Sequence, residues 1–235
     1  MLDMFTNYGT QFFWPLDTRI TFNTVFVIDP LYTLPFLACL LCTLFLKREN
    51  PKRYKINLIG IVYSCIYLLW GVIIKLTVLA HTDKVFSKEN ISVSRNMVTP
   101  MPLTSFYWYT LGEDDSTFYV YYTSLFNTKN PIIERIPKGK FRLDNFNWLG
   151  ENYSKKLAFI SNGYYLLKRQ HDTLCYYDLR FGLTGKITAE KTNKPVMGYN
   201  LILKNNNVRQ VKPLNRLETM KYIDFHYYFK KVIGY

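Results

Sequence analysis

Histidine, usable cysteine and nucleotide-binding loops are what this sequence has least of. Of its four cysteines in 235 residues, Cys39, Cys42 and Cys65 fall in apolar stretches, where a thiol stays protonated and packs as a small soft side chain. Only Cys175 lies in polar sequence, so no intramolecular disulfide framework can form, and Cys39-x-x-Cys42 has no second pair with which to hold zinc. A metal site would have to use carboxylates and histidines. Three histidines are present: His171 falls in a predicted turn, His226 in an aromatic run, and His81 just past an apolar run. None has a carboxylate at metal-ligand spacing, which favours structural or interfacial roles. There is no Gly-rich phosphate loop, no GxSxG elbow and no HExxH pair, so the sequence signatures of nucleotide-binding loops, serine hydrolases and zincins are missing. Anions are scarce as well, with 17 Asp and Glu against 30 Lys and Arg, a formal charge of +13. That excess asks for an anionic neighbour. Because the cations are spread through the tail without a nucleic-acid-binding signature, the expected partner is membrane lipid and no nucleic acid is expected.

What is present begins with two apolar runs. Leu31 to Leu46 carries no charge; counted from Pro30 it has 17 residues, about 25 Å as a helix, just enough to span a bilayer. Asp29 is placed to cap its free amides and Pro30 to occupy its first turn, while Pro35 only bends the start. The second run, Leu58 to Ala80, holds one charge, Lys75. Its Gly60, Ser64, Tyr67 and Gly71 share a face at helical spacing, the small-residue pattern that lets membrane helices approach closely. The expected spans are 30–46 and 58–80, joined by a loop over 47–57 whose stretch Lys47 to Lys55 carries five cations and one anion. The positive-inside rule puts that loop in the cytoplasm, and both the N-terminus and the tail on the outer side.

Residues 1–29 are too polar to span but rich in Phe, Tyr and Trp, which suits the membrane interface. Residues 81–104 read as a connector. From 105 to 235 a β-rich extramembrane domain is predicted, with strands at Ser105–Leu111, Thr117–Leu125, Pro131–Ile136, Leu157–Lys168, Thr173–Arg180 and Met197–Lys204. Hairpin turns are expected at 112–116 and around His171, a loop at 205–207, and a short helix over 213–223 capped by Asn215. The predicted fold class is thus membrane-anchored α+β, a two-helix transmembrane hairpin followed by a β-rich domain.

In this topology Asp3, Asp17 and Asp29 fall near the outer headgroup layer, where a carboxylate cluster would suit a divalent metal. Helix capping accounts for Asp29 equally well, and Asp17 reads as a turn residue. Lys75 either snorkels to the interface or forms an intramembrane ion pair with Asp29.

Three blocks carry a resemblance: Leu2-Asp3-Met4-Phe5-Thr6-Asn7-Tyr8-Gly9-Thr10-Gln11, then Phe13-Trp14-Pro15, then Phe26-Val27-Ile28-Asp29-Pro30-Leu31-Tyr32-Thr33-Leu34-Pro35. Weaker ones follow at Val98–Pro102, Ser161–Tyr165 and Asp178-Leu179-Arg180-Phe181-Gly182. Together they resemble the YdjM-type family of bacterial inner-membrane proteins described as metal-dependent hydrolases. The resemblance implies a multi-spanning inner-membrane protein with a divalent metal, zinc or magnesium, and makes Asp3 the matched ligand; Asp29 is a further candidate. Family members carry a preceding His-containing membrane region, whereas Met1 here stands almost at Asp3, so the expectation is a C-terminal portion of a longer product, a start assigned too late, or a truncated relative. The catalytic residues are therefore left unassigned, and the expectation is a chain with an incomplete metal site and no hydrolase activity of its own. A non-catalytic envelope protein whose β-domain binds a partner is the competing reading.

Overall fold

A computed structural model of the chain describes residues 2–13, 15–16, 18–127, 131–148, 153–184, 195–205, 207–214 and 224–234. Asp17 lies outside the described residues, as do Asn215 and most of the helix predicted over 213–223. By its internal contacts the chain divides into two compact units. One comprises Met1–Ser92, Val98–Thr110 and Tyr122–Pro131; the other comprises Val93–Met97, Leu111–Tyr121 and Ile132–Tyr235. This division differs from the predicted boundary at 105, because two strand segments cluster with the helices rather than with the rest of the tail.

The first unit holds both helices. Helix α1 runs Pro30–Phe45 and α2 runs Pro51–Lys88. Each starts at a capped proline: the side chain of Asp29 accepts from Leu31 N, and that of Asn50 from Lys52 N. At 16 residues α1 is about 24 Å long, short of a bilayer's hydrocarbon core of about 30 Å. With 38 residues α2 reaches about 57 Å, and among the described residues it is the helix long and apolar enough to cross a membrane. The second predicted span is therefore plain in the structure, and the first is present as a shorter apolar helix. The predicted face also forms. Gly60 lies against Cys39, Ser64 Oγ bonds the hydroxyl of Tyr32 at 2.7 Å, and Tyr67 is 7% exposed. Gly71 differs, facing Thr24 and Val25 of the N-terminal segment rather than α1.

Where a connector was expected after Ala80, α2 continues to Lys88. Val78, Thr82, Val85 and Phe86 form a buried stripe at helical spacing, and Val78 packs with Val98 and Trp108. A 3-10 turn at Leu2–Phe5 is followed by an antiparallel bridge from Thr10 to Ile20, and Phe22, Thr24 and Val25 donate main-chain bonds to Met4 and Phe5.

Strands β1 (Arg95–Pro100), β2 (Tyr107–Glu113), β3 (Thr117–Ser124) and β4 (Ile133–Pro137) form one sheet in that order. The chain passes between the two units along β1, β2 and β3. In the second unit, β5 (Asn147–Trp148), β6 (Tyr165–Gln170), β7 (Thr173–Leu183), β8 (Pro195–Lys204) and β9 (Asn207–Pro213) form a sheet ordered β5-β9-β8-β7-β6. Its pairs are antiparallel except β5 with β9. Its core is Leu143, Phe146, Leu157, Leu167, Leu174, Tyr176, Leu201, Leu203 and Val208. Helices α3 (Tyr153–Ile160) and α4 (Phe225–Val232) complete this unit.

The predicted strand at Leu157–Lys168 is corrected. Its first part is the end of α3, stopped by Asn162 at φ 51° and Gly163 at φ 77°, after which β6 begins at Tyr165. The hairpin around His171 is as expected, with His171 itself at positive φ.

Turn chemistry between β2 and β3 rests on Asp114. Its carboxylate accepts from the amides of Ser116 and Thr117, both at 2.7 Å, and from the hydroxyl of Tyr119 at 2.7 Å. The Tyr119 bond, then the amides, pull the Asp114 carboxyl down to about 2. A depressed carboxylate contributes stability that is present above its unfolded value near 3.9 and is lost as pH falls through about 2. The variant Asp114→Asn should therefore show a shallower loss of stability across that acid window than the parent, read from thermal unfolding as a function of pH.

Packing at Gly71 makes a second prediction. A Cβ there would lie 2.9 Å from the main-chain oxygen of Thr24, so backbone must move. Gly71→Val should destabilise the detergent-solubilised protein by about 1–3 kcal/mol in heat unfolding, while Leu69→Val, at a position 65% exposed, should leave it unchanged.

Candidate functional site

Among the described residues of the first unit Asp29 is the one buried acidic or basic side chain, and the geometry around it defines the candidate site. The residue is 1% exposed and sits in extended backbone as the N-cap of α1. Oδ1 accepts from Leu31 N at 3.0 Å. Oδ2 accepts from the Tyr67 hydroxyl at 2.9 Å and from Ser105 Oγ at 2.5 Å. The two hydroxyls are themselves 2.9 Å apart. Two protons serve three oxygen–oxygen contacts, so Tyr67 and Ser105 either both donate to the carboxylate or pass one bond through each other.

Each partner is positioned by its own element. Tyr67 comes from the middle of α2, on the face made by Gly60, Ser64 and Gly71, and its ring touches Tyr32, Tyr63 and Trp70 at centroid distances of 5.7, 6.0 and 5.3 Å. Tyr63 donates its hydroxyl to the carbonyl of Leu31. Ser105 stands just before β2 and is fully buried; its carbonyl accepts from Trp108 Nε1 at 2.9 Å. Elsewhere in the same unit Thr99 of β1 donates to Asn7 Oδ1 at 2.6 Å, and Thr82 of α2 bonds Thr110 of β2 at 3.2 Å. Three hydroxyl contacts thus join the helices or N-terminal segment to strands within one unit.

An ionised carboxylate survives burial only when its lone pairs are taken by donors. Here the helix N-terminus supplies one amide and a favourable dipole, and two hydroxyls supply the rest. The arrangement is suited to holding a structure together. Ser105 is 0% exposed and its hydroxyl bonds Asp29 and Tyr67, so it is engaged in that cluster.

The sequence-predicted site residues are not brought together. Asp3 lies exposed in the 3-10 turn, where its main-chain oxygen accepts from Thr6 and Gly9. Lys75 donates to the carbonyl of Phe22 at 2.5 Å, while the described partners of the Asp29 carboxylate are Leu31, Tyr67 and Ser105. Of the two readings of Lys75, interfacial snorkelling or a pair with Asp29, the second is not the arrangement described, since each side chain bonds other groups. Among the described residues no group of three or more His, Cys, Asp or Glu converges on a point where a metal could sit. The described donor set therefore does not fit the zinc or magnesium that the resemblance implies, and no reaction step is drawn through one. Sequence reasoning named Asp29 and Tyr67 separately, as a cap and as a helix-face residue. Ser105 carried no signal beyond marking the start of a predicted strand.

Removing a donor from a buried carboxylate leaves part of its charge unpaired. Ser105→Ala and Tyr67→Phe should each cost about 1–3 kcal/mol of stability. Because both serve the same oxygen, the double variant should depart from additivity, which a double-mutant cycle on unfolding free energy would read. Additive losses would show that the three groups do not act as one cluster.

No curated protein and no solved structure matches the chain. Residues 1–78, which hold the N-terminal segment, α1 and most of the apolar length of α2, match the family model described as YdjM inner membrane protein, and over that third of its length the chain is similar to this family of inner-membrane proteins.

Proposed function

We propose that the chain is a non-catalytic, bilayer-anchored envelope protein whose β-rich portion binds a partner. In this reading α1 and α2 cross the inner membrane as a hairpin, with the turn at 46–50 in the cytoplasm. The N-terminal segment and the strands stand on the outer side. The observation that carries the anchor is the wide exposure of apolar side chains on both helices. Leu34, Leu44, Ile59, Ile66, Leu69, Ile73 and Leu76 are each at least 60% exposed, a surface that water would penalise and lipid tails would not. Lys47, Arg48, Lys52 and Lys55 are exposed at one end of that surface, which supports a cytoplasmic turn.

The non-catalytic reading is supported by the commitment of Asp29 to three structural bonds. A metal-dependent hydrolase would draw on Asp3, which is exposed and contributes at most one ligand where a catalytic ion takes about three.

Topology is tested with single cysteines in a background whose four native cysteines are replaced. Asp115→Cys in intact spheroplasts should react with a membrane-impermeant maleimide, and Glu49→Cys only after permeabilisation. Equal reaction of both would reject the hairpin. The purified chain should leave phosphoester substrates intact with zinc or magnesium added; metal-dependent turnover abolished by Asp3→Ala would establish the hydrolase instead.

A further inference from the structure

The C-terminal helix α4 is apolar over a wider arc than the protein covers. Tyr228 and Val232 are 2% and 7% exposed and form its buried side. Phe225, Phe229 and Ile233, spaced four residues apart and therefore on one face, are 54%, 48% and 53% exposed. Exposed His226 and Lys230 border this face, and Lys231 follows in the last turn, its ammonium over the ring of Tyr227 at 5.5 Å to the centroid. Asp224 caps the helix through Tyr227 N, so its one anion is spent at the start. Two large aromatics and an isoleucine turned to solvent, rimmed by cations, make the side-chain pattern of a helix that lies in a membrane interface.

We infer that α4 is a second, peripheral membrane contact: its Phe225–Phe229–Ile233 face inserts among the headgroups of an anionic bilayer, with Lys230 against lipid phosphates. The inference rests on the anchoring proposed above, since a chain already fixed to a bilayer needs little further affinity to lay a short helix on it. Charge complementarity selects the occupant. A face bordered by cations, in a chain of net charge +13, fits anionic lipid better than a second copy of itself.

The test uses the full chain in nanodiscs of phosphatidylcholine mixed with phosphatidylglycerol, and of phosphatidylcholine alone. An environment-sensitive dye is attached to one cysteine in the background lacking the native four, at Phe229, at Tyr227 on the far side of α4, or at Ile66 on the lipid-facing side of α2. Doxyl-labelled lipids should quench the dye at 66 in both compositions. At 229 quenching should be strong only with phosphatidylglycerol, and at 227 it should be weak. Replacing Lys230 by Gln should lower the inserted-to-free ratio at 229 about fivefold, the effect of one cation near an anionic surface. Quenching at 66 without quenching at 229 in either composition overturns the α4 contact while leaving the anchor intact. Loss at 66 as well overturns the anchor reading. A dye at 229 that is shielded from water yet unquenched by lipid means that protein covers this face, which also rejects the proposal.

Discussion

The carboxylate of Asp29 is the constraint on which the first unit depends. A charge at 1% exposure tolerates no vacancy among its donors, and its donors come from residues 31, 67 and 105. Helix α1 must begin where it does, α2 must present Tyr67 at the level of that beginning, and the segment before β2 must bring Ser105 to the same point. Local sequence fixes only the first of these, through Asp29 ahead of Pro30. The other two are long-range, and they explain why residues 98–110 cluster with the helices instead of with the remainder of the tail.

Helix α2 has two different solvents along its length. From Leu58 to Leu76 most apolar side chains are exposed, and only Gly60, Tyr67 and Gly71 are buried on one face. From Val78 to Phe86 the buried stripe is denser, and the outward positions include Lys84 and Ser87. The first half suits hydrocarbon on its open sides; the second is an ordinary amphipathic helix packed on Val98 and Trp108. Two threonine hydroxyls are satisfied on their own helix, Thr77 on the carbonyl of Ile73 and Thr43 of α1 on that of Cys39, whereas those of Tyr63, Ser64 and Tyr67 bond residues 29–32.

Much of this was legible in the sequence, and the misses have physical reasons. Apolar runs located α1 and α2, with Asp29 and Pro30 marking the start of α1, and period-two runs located β2, β3, β4, β7 and β8; the start of α2 at Pro51, inside the basic stretch expected as a loop over 47–57, was missed because that turn is charged rather than apolar. The extension of α2 past Ala80 was hidden because its stripe of Val78, Thr82, Val85 and Phe86 is only one residue wide and surrounded by charge. Strand β1 buries Met97, Val98, Thr99 and Pro100 in succession, and a strand buried on both faces shows no alternation. Strand β9 buries only Val208 and is held through its pairing with β8, which leaves no hydrophobic pattern to read. In α3 the Asn162-Gly163 stop lay in the middle of an apparent strand, a turn signal outweighed by the aromatic run after it. The Asp29 cluster could be read only by halves. A cap is a local motif, whereas the meeting of residues 29, 67 and 105 is a property of the folded chain.

Asp29 and Tyr67 lie within the matched residues 1–78, and Ser105, Thr99 and Trp108 lie beyond them. The matched part therefore does not satisfy its own buried charge: one donor to Asp29 Oδ2, and the strand threonine on Asn7, come from sequence that the family model does not cover. A helix pair carrying an unpaired buried carboxylate would be poorly stable, so residues beyond 78 act as a structural complement to the membrane segment. The converse also holds. Because Ser105 and Trp108 bracket the start of β2, an anchor that holds Ser105 sets where that strand begins, and with it the first sheet. The segment that caps α1 thus supplies the carboxylate around which Ser105 and the start of β2 are placed.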